Sequence, residues 1–447
     1  MKEKNLNNNP NSYFELMDDA TEEAEIRSRE EENKTHICGE DYRLRKANRR
    51  IYSLTDGSKQ AEFYSNSMFA YDENKEMFNQ IDKSLFFDRK GKCVRTGKTN
   101  FRARFSTKPN SNELLVLEKD IYKIKLKSQI LSDSKTKKNI PSIKKKNTGV
   151  DALVYEEFAP GLDLEYSIYG NGINQNIIIN KKQSLYSFTF EIEYKNLEVQ
   201  FNQHKKAVEF VSKMTRDVIF NIPAPFILDS RGSHSNAIFC NIKPISPGKD
   251  LLEIVLDSSW LNDVYTLFPV TASFQFELQN EFFLNTFYWV NGTMGRNIVH
   301  SVGMDWASFC NERMYLEIAC PQLPADAKIK KAVLILPQKS SYSVNDFCPE
   351  LGLYYVKGDI VLGKYSPWNS NESFGLTPIK IHHFEPEGTI SYEFDITSAI
   401  EKMKDNSFDK SVFVLKLHNE SCANTHIASF YGNTCEKFYP KLVITYN

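Results

Sequence analysis

The chain has 447 residues, too many for one hydrophobic core, so two or three domains are expected. Lysine and arginine total 56 against 57 acidic residues, and the net charge of −1 gives no overall pull toward nucleic acid or an anionic membrane. Aromatic residues reach 13%, with 31 Phe and 22 Tyr, and such side chains favour the pleated surface of strands.

The eight cysteines are too sparse for a disulfide scaffold, and no C-x-x-C pair marks a zinc site. Most should pack as small buried hydrophobes. One bridge, Cys422 to Cys435, stays open if the protein is exported. No metal site and no cofactor are expected.

Residues 1–48 are polar, and Asp18 to Glu32 is dense in acid, which predicts a mobile arm. Its start holds no apolar signal segment, and no run approaches the ~20 apolar residues that cross a bilayer. The best stretch, Val218 to Leu228, is broken by Asn221, Pro223 and Pro225. Residues 49–270 read as strand and turn, as one subdomain or two. Ile51 to Leu54 runs into Asp56-Gly57, a hairpin signal. Short strands follow near Phe63 to Tyr71, Phe101 to Phe105, Leu114 to Val116 and Ile121 to Leu126.

Residues 132–147 form a lysine-rich stretch around Pro141, read as a surface loop because no aromatics interleave with the charges. Leu185 to Tyr194 alternates apolar and polar side chains at the period of a half-buried strand. Lys206 to Thr215 is the one stretch here with helical character. Pro247-Gly248 and Asp229 to Gly232 mark turns. Residues 271–299 look like a linker.

Residues 300–447 carry eight predicted strands: Met314–Cys320, Ala332–Leu336, Leu351–Val356, Ile379–Phe384, Ile390–Phe394, Val412–Leu417, Ile427–Tyr431 and Leu442–Tyr446. That number and length suit a jelly-roll, so the fold class is all-β, built of antiparallel β-sandwich domains. Ser398 to Met403 should form one short helix, with the Thr397 or Ser398 hydroxyl capping its first amides.

Signs of catalysis are sparse. There is no Gly-x-Ser-x-Gly elbow and no glycine-rich phosphate loop. Gly232-Ser233-His234-Ser235 reads as a turn. His382 and His383 are adjacent on a strand and point to opposite faces, so they do not ligate one metal. Asp151, Glu156, Glu157, Asp163 and Glu165 cluster in sequence, but acid/base work needs a spacing that sequence does not show. No catalytic residue is assigned. For sugar binding, aromatic rings matter because sugar C–H faces stack on them. Trp368 and Tyr365, beside Asn369, Asn371 and Glu372, have that composition, and Tyr355 adds a ring. Arg313 is either a ligand contact or the partner of a carboxylate.

Some of these residues recur in a known arrangement. Arg313, the run Leu323 to Leu334, Trp368, Phe394-Asp395-Ile396-Thr397 and Pro440 to Tyr446 fall in order. In this, residues 300–447 resemble the DNRLRE domain of bacterial surface and secreted proteins. Tyr155 to Tyr166, Gly172 to Ile179, Ile222 to Pro225, Trp260-Leu261 and Phe268 to Val270 look like the N-terminal region of wall-associated RHS-repeat proteins. The long tyrosine-aspartate array of that family has no counterpart here, since Tyr71-Asp72 is the lone such pair. The resemblance implies a non-enzymatic protein, extracellular or at the cell surface, holding a polysaccharide or cell-wall glycan. A protein partner in a secreted, toxin-related or phage-like assembly is the alternative, and a polysaccharide-active hydrolase a third. Without a signal segment, a cytoplasmic location stays open.

Overall fold

The computed structural model describes residues 35–129, 140–146, 149–183, 186–203, 207–230, 234–235, 238–278, 284–290, 293–295, 299–305, 310–343, 350–356, 378–383, 391–405, 409–420, 426–432 and 438–447. Tight turns fall where the sequence offers a residue tolerant of positive φ. Asp120 (52°) turns one hairpin and Asn196 (62°) turns the chain from one sheet to another, while Gly57 (80°) and Gly248 (79°) turn two more hairpins, as Asp56-Gly57 and Pro247-Gly248 predict. Among the described residues the chain forms sheets of fourteen, ten, eight and two strands. The all-β expectation holds.

Residues 85–278 build a middle sandwich. Its eight-stranded sheet runs from Leu85–Phe87 at one edge to Phe239–Ser246 at the other. Its ten-stranded sheet is centred on Leu162–Tyr169, Gly172–Ile179 and Val270–Leu278, with Ser142–Lys145 and Leu197–Asn202 as edges. The alternation of each strand sends one set of side chains inward, and these fuse into a single core. Phe105, Ile124, Phe190 and Ile254 of one sheet meet Tyr166, Ile177, Phe210 and Phe274 of the other. Aromatic pairs such as Phe190 and Phe274, with centroids 5.7 Å apart, cross between the sheets.

A second sandwich, termed terminal here, uses strands from both ends of the described chain. All eight strands expected after residue 300 form. Ile37–Glu40, Arg49–Leu54 and Lys59–Tyr64 extend their sheet, and Leu284–Val290 and Val299–Asp305 join as well. The result is larger than an eight-stranded jelly-roll. Lys59–Tyr64 pairs along its whole length with Lys441–Tyr446. The 15-residue strand Ile329–Ser343 links the two layers. Its first half pairs with Lys441–Tyr446, and from Gln338 onward it pairs with His426–Tyr431. Pro337 sits at the change of partner, just before a register shift, where a residue without an N–H is tolerated. Phe63, Leu334, Leu415 and Phe430 share one core.

Several expectations change. Ile37–Glu40 and the 3-10 turn Tyr42–Leu44 belong to the terminal sandwich, so the polar arm does not reach residue 48. From Ala207 on, the stretch expected to be helical is not: Ala207–Ser212 is a strand with every residue buried. The linker-like stretch 271–299 contains most of Val270–Leu278 and all of Leu284–Val290. Within 132–147, Ser142–Lys145 is an edge strand rather than loop. The helix spans Thr397–Asp405 and buries Ile400 and Met403. Thr397 Oγ1 accepts from the Ala332 amide of the long strand at 2.8 Å, tying helix to sheet. Cys93 and Cys240 are buried, Cys38 is exposed and Cys320 lies between; Cys422 and Cys435 fall outside the described residues.

Candidate functional site

Arg313 follows the strand alternation. Its neighbour Met314 is in the core, so Arg313 stands on the outward face of the sheet. It is 3% exposed, and its Nε and Nη2 donate to the two oxygens of Glu420, each at 2.7 Å. This is the bidentate geometry that a planar guanidinium favours. Lys416 donates to the same carboxylate at 3.3 Å and sets its ammonium 4.8 Å from the Tyr354 ring centroid. The Tyr354 ring lies over Gly352, where an added Cβ would come within 2.6 Å of it. Its hydroxyl is 2.6 Å from His418 Nδ1, and burial pushes its pKa up. Arg313 thus has the carboxylate partner that sequence offered as one of its two roles.

Tyr355 points the other way. It is 38% exposed and meets Phe413 of the core edge-on, with centroids 5.9 Å apart. Arg313 and Tyr355 therefore lie on opposite faces, and the structure does not bring them together. Trp368 and Tyr365 fall outside the described residues.

The carboxylates clustered in sequence are spread over separate contacts. Asp151 accepts from the Leu85 amide at 3.0 Å and pairs with Lys145 at 2.6 Å. Glu156 pairs with Lys144. Asp163 accepts from the Glu157 amide at 2.7 Å and from Asn180 at 2.8 Å. Glu165 pairs with Lys146 at 3.3 Å. Ser235, next to His234, donates to Asp257 at 2.9 Å. Among the described residues no group of three or more His, Cys, Asp or Glu is placed to hold a metal ion.

Sequence reasoning missed the densest polar surface. One face of the ten-stranded sheet fills the middle core, and the other would ordinarily be wet. Register places Glu165, Asn176 and Ser273 in one cross-strand row, and Ser167, Asn174 and Gln275 in the next. A third row carries Tyr169, Gly172, Glu277, Asn221, Glu209 and Gln200. Most of these are buried: Asn174, Ser273, Gln275 and Glu277 are each at most 3% exposed. Amides and carboxylates pair along the face. Gln275 donates to Asn174 at 2.9 Å and Asn176 to Glu165 at 2.9 Å, while Gln200 and Asn202 donate to Glu209 at 3.0 and 2.9 Å. Asn176 Oδ1 and Ser273 Oγ, cross-strand neighbours, are buried with no hydrogen-bond partner among the described residues. The signal was present as amides and acids alternating with isoleucine and phenylalanine in Gly172–Ile179 and Val270–Leu278.

Fold and sites together define an all-β protein of two antiparallel sandwiches with buried polar surfaces. No family model matches the chain. It is 22% identical over 240 residues to the tRNA nuclease WapA of Bacillus subtilis (strain 168), covering 51% of this chain and 10% of that protein. The tRNA3(Ser)-specific nuclease WapA of Bacillus spizizenii and the tRNA(Glu)-specific nuclease WapA of Bacillus subtilis subsp. natto align with the same 22% identity and coverage. The chain spans about a tenth of the length of these curated relatives. Part of the chain is therefore WapA-like. Among the described residues no helix is long and apolar enough to cross a membrane.

Proposed function

We propose that this chain is a non-enzymatic bacterial binding protein, at the cell surface or outside the cell, whose terminal sandwich holds a carbohydrate or cell-wall glycan. The observation that carries the reading is Tyr355, a residue 38% exposed near the end of the Glu350–Val356 strand. That strand leads into the segment holding Tyr365, Trp368, Asn369, Asn371 and Glu372. Rings that stack on sugar C–H faces, with amides and acids that bind hydroxyls, are the chemistry such a site needs. The WapA-like region and the resemblance to DNRLRE domains support a wall-associated setting.

The relatives' named activity, tRNA cleavage, is not carried over, because the alignment covers only 10% of each of them. Nucleic acid is not proposed as a partner either. Lys144, Lys145 and Lys146 are each paired with a carboxylate, which lowers their availability to phosphates. A second reading, a structural component contacting another protein, is favoured by one loop. Val264, Tyr265 and Leu267 there are 85%, 76% and 44% exposed.

The test is a pull-down of the full chain on insoluble cell-wall and polysaccharide preparations, beside Trp368→Ala and Tyr355→Ala. Retention on one polymer, weakened about tenfold in either variant, is expected for stacking anchors. Retention on no polymer would move the assignment to the protein-partner reading.

A further inference from the structure

Glu165 holds two different nitrogens on one oxygen. Its Oε1 lies 3.3 Å from Lys146 Nζ and accepts from Asn176 Nδ2 at 2.9 Å. An amine and a carboxamide are thereby kept within two hydrogen-bond lengths of each other, with an acid between them. Register builds the trio: Glu165 stands opposite Asn176 on the neighbouring strand, with Val154 on its other side and Ser273 beyond Asn176. Lys146 lies in the turn after the Ser142–Lys145 edge strand, and its side chain reaches past Asp151–Ala159 to the carboxylate. Asn176 is 6% exposed, and the side chains of Glu165 and Lys146 are 15% and 25% exposed. Asn176 Oδ1 is buried with no hydrogen-bond partner among the described residues.

We propose that Lys146 and Asn176 become joined by an amide bond, with Glu165 carrying the protons. Away from water, passing a proton from an ammonium to a carboxylate removes two charges and leaves a nucleophilic amine beside a carboxylic acid. Half a turn of the Asn176 amide brings Oδ1 onto that acid, which donates to it and makes Cγ electrophilic. Lys146 Nζ then forms a bond to Cγ, and Glu165 moves one proton from Nζ to Nδ2. The Cγ–Nδ2 bond breaks, Oδ1 returns its proton to Glu165, and ammonia leaves, taking that proton into solvent as ammonium. No oxidant is consumed, and the chain reacts only once, so the reaction is independent of any glycan bound elsewhere. The product fastens the edge strand to Gly172–Ile179 across the two strands between them. A similar trio, Lys98, Asp72 and Asn79, shares Asp72 Oδ2. There the Lys98 side chain is 47% exposed, and its hydrogen bond holds the Asp72 carboxyl below the usual range, so that acid stays ionised. Exposure makes that trio an ion pair, and burial sets the Glu165 trio apart from it.

The test is the mass of the purified full chain, measured intact under denaturing conditions and followed by mapping of its proteolytic peptides. The expected mass is one ammonia below that of the sequence, with a branched peptide joining the Lys146 and Asn176 segments. Lys146→Arg keeps a cation against Glu165 but attacks no carbonyl, and Glu165→Gln removes the proton carrier. Each variant should retain its ammonia and yield no branched peptide, while circular dichroism shows it folded. Three results would overturn the proposal: the parent keeps its full sequence mass, ammonia is lost without a branched peptide, or Lys146→Arg loses ammonia as the parent does. The second and third would mark a cyclised asparagine instead. The parent's peptide map decides the matter even where a variant fails to fold.

Discussion

Arg313 shows what a buried guanidinium requires. Its side chain is 4% exposed and that of Glu420 20%, so both charges are largely out of water and each depends on the other. Replacing Arg313 with Met leaves the carboxylate only its longer contact with Lys416, and an unfolding loss of at most about 3 kcal/mol is expected in urea titration. Adding Glu420→Gln to that variant should recover much of the loss. A charged residue seeking a carboxylate was legible in the sequence. Which carboxylate was not, since Glu420 lies 107 positions away and only strand register brings it near. His426 carries a second residue-scale consequence. It is fully buried, and burial pushes its pKa below the ordinary 6.5. The folded state therefore favours the neutral ring, and its contribution is complete above pH 6.5 and declines as pH falls below that value. Urea midpoints at pH 7.5 and 5.5 should differ more for the parent than for His426→Gln.

At the level of elements, periodicity served best where one face of a strand meets water. Leu185 to Tyr194 alternates cleanly, and Ser187–Lys195 is a strand with every second residue buried from Phe188 to Ile192. The eight strands after residue 300 were readable from their β-branched and aromatic runs between turn residues. Residues 271–278 read as linker because Thr271, Ser273, Gln275 and Glu277 look like solvated positions, whereas seven of these eight residues are buried. Polarity in the sequence does not reveal that a position is buried. The same blindness hid the amide-rich tract. Ala207–Ser212 was mistaken for helix for a related reason: with every residue buried, its pattern has no wet side to set a period. The Ser142–Lys145 edge fits its exposed place, since lysines on an edge strand discourage pairing with other chains.

For the whole molecule, the division into domains at residue 300 does not match the sheets. The terminal sandwich takes Ile51, Ala61 and Phe63 into its core and flanks Lys441–Tyr446 with Lys59–Tyr64. A fragment of residues 300–447 should therefore lack a cooperative thermal transition by circular dichroism, with an unpaired strand edge and an open core. Residues 85–278, which carry both sheets of the middle sandwich and its core, should melt cooperatively on their own. The reverse outcome would restore the boundary read from sequence.

The pairing of Lys59 with Tyr446 also sets an order of events during synthesis. The first strands leave the ribosome long before their partner exists, so they wait unpaired while the rest of the chain is made. The middle sandwich is contiguous and closes from contacts nearer in sequence. Once it has closed, it shortens the effective loop between the two ends and lowers the entropic cost of joining them. Assembly thus proceeds from the middle outward, and the late closing step is when exposed strand edges are most open to misassociation.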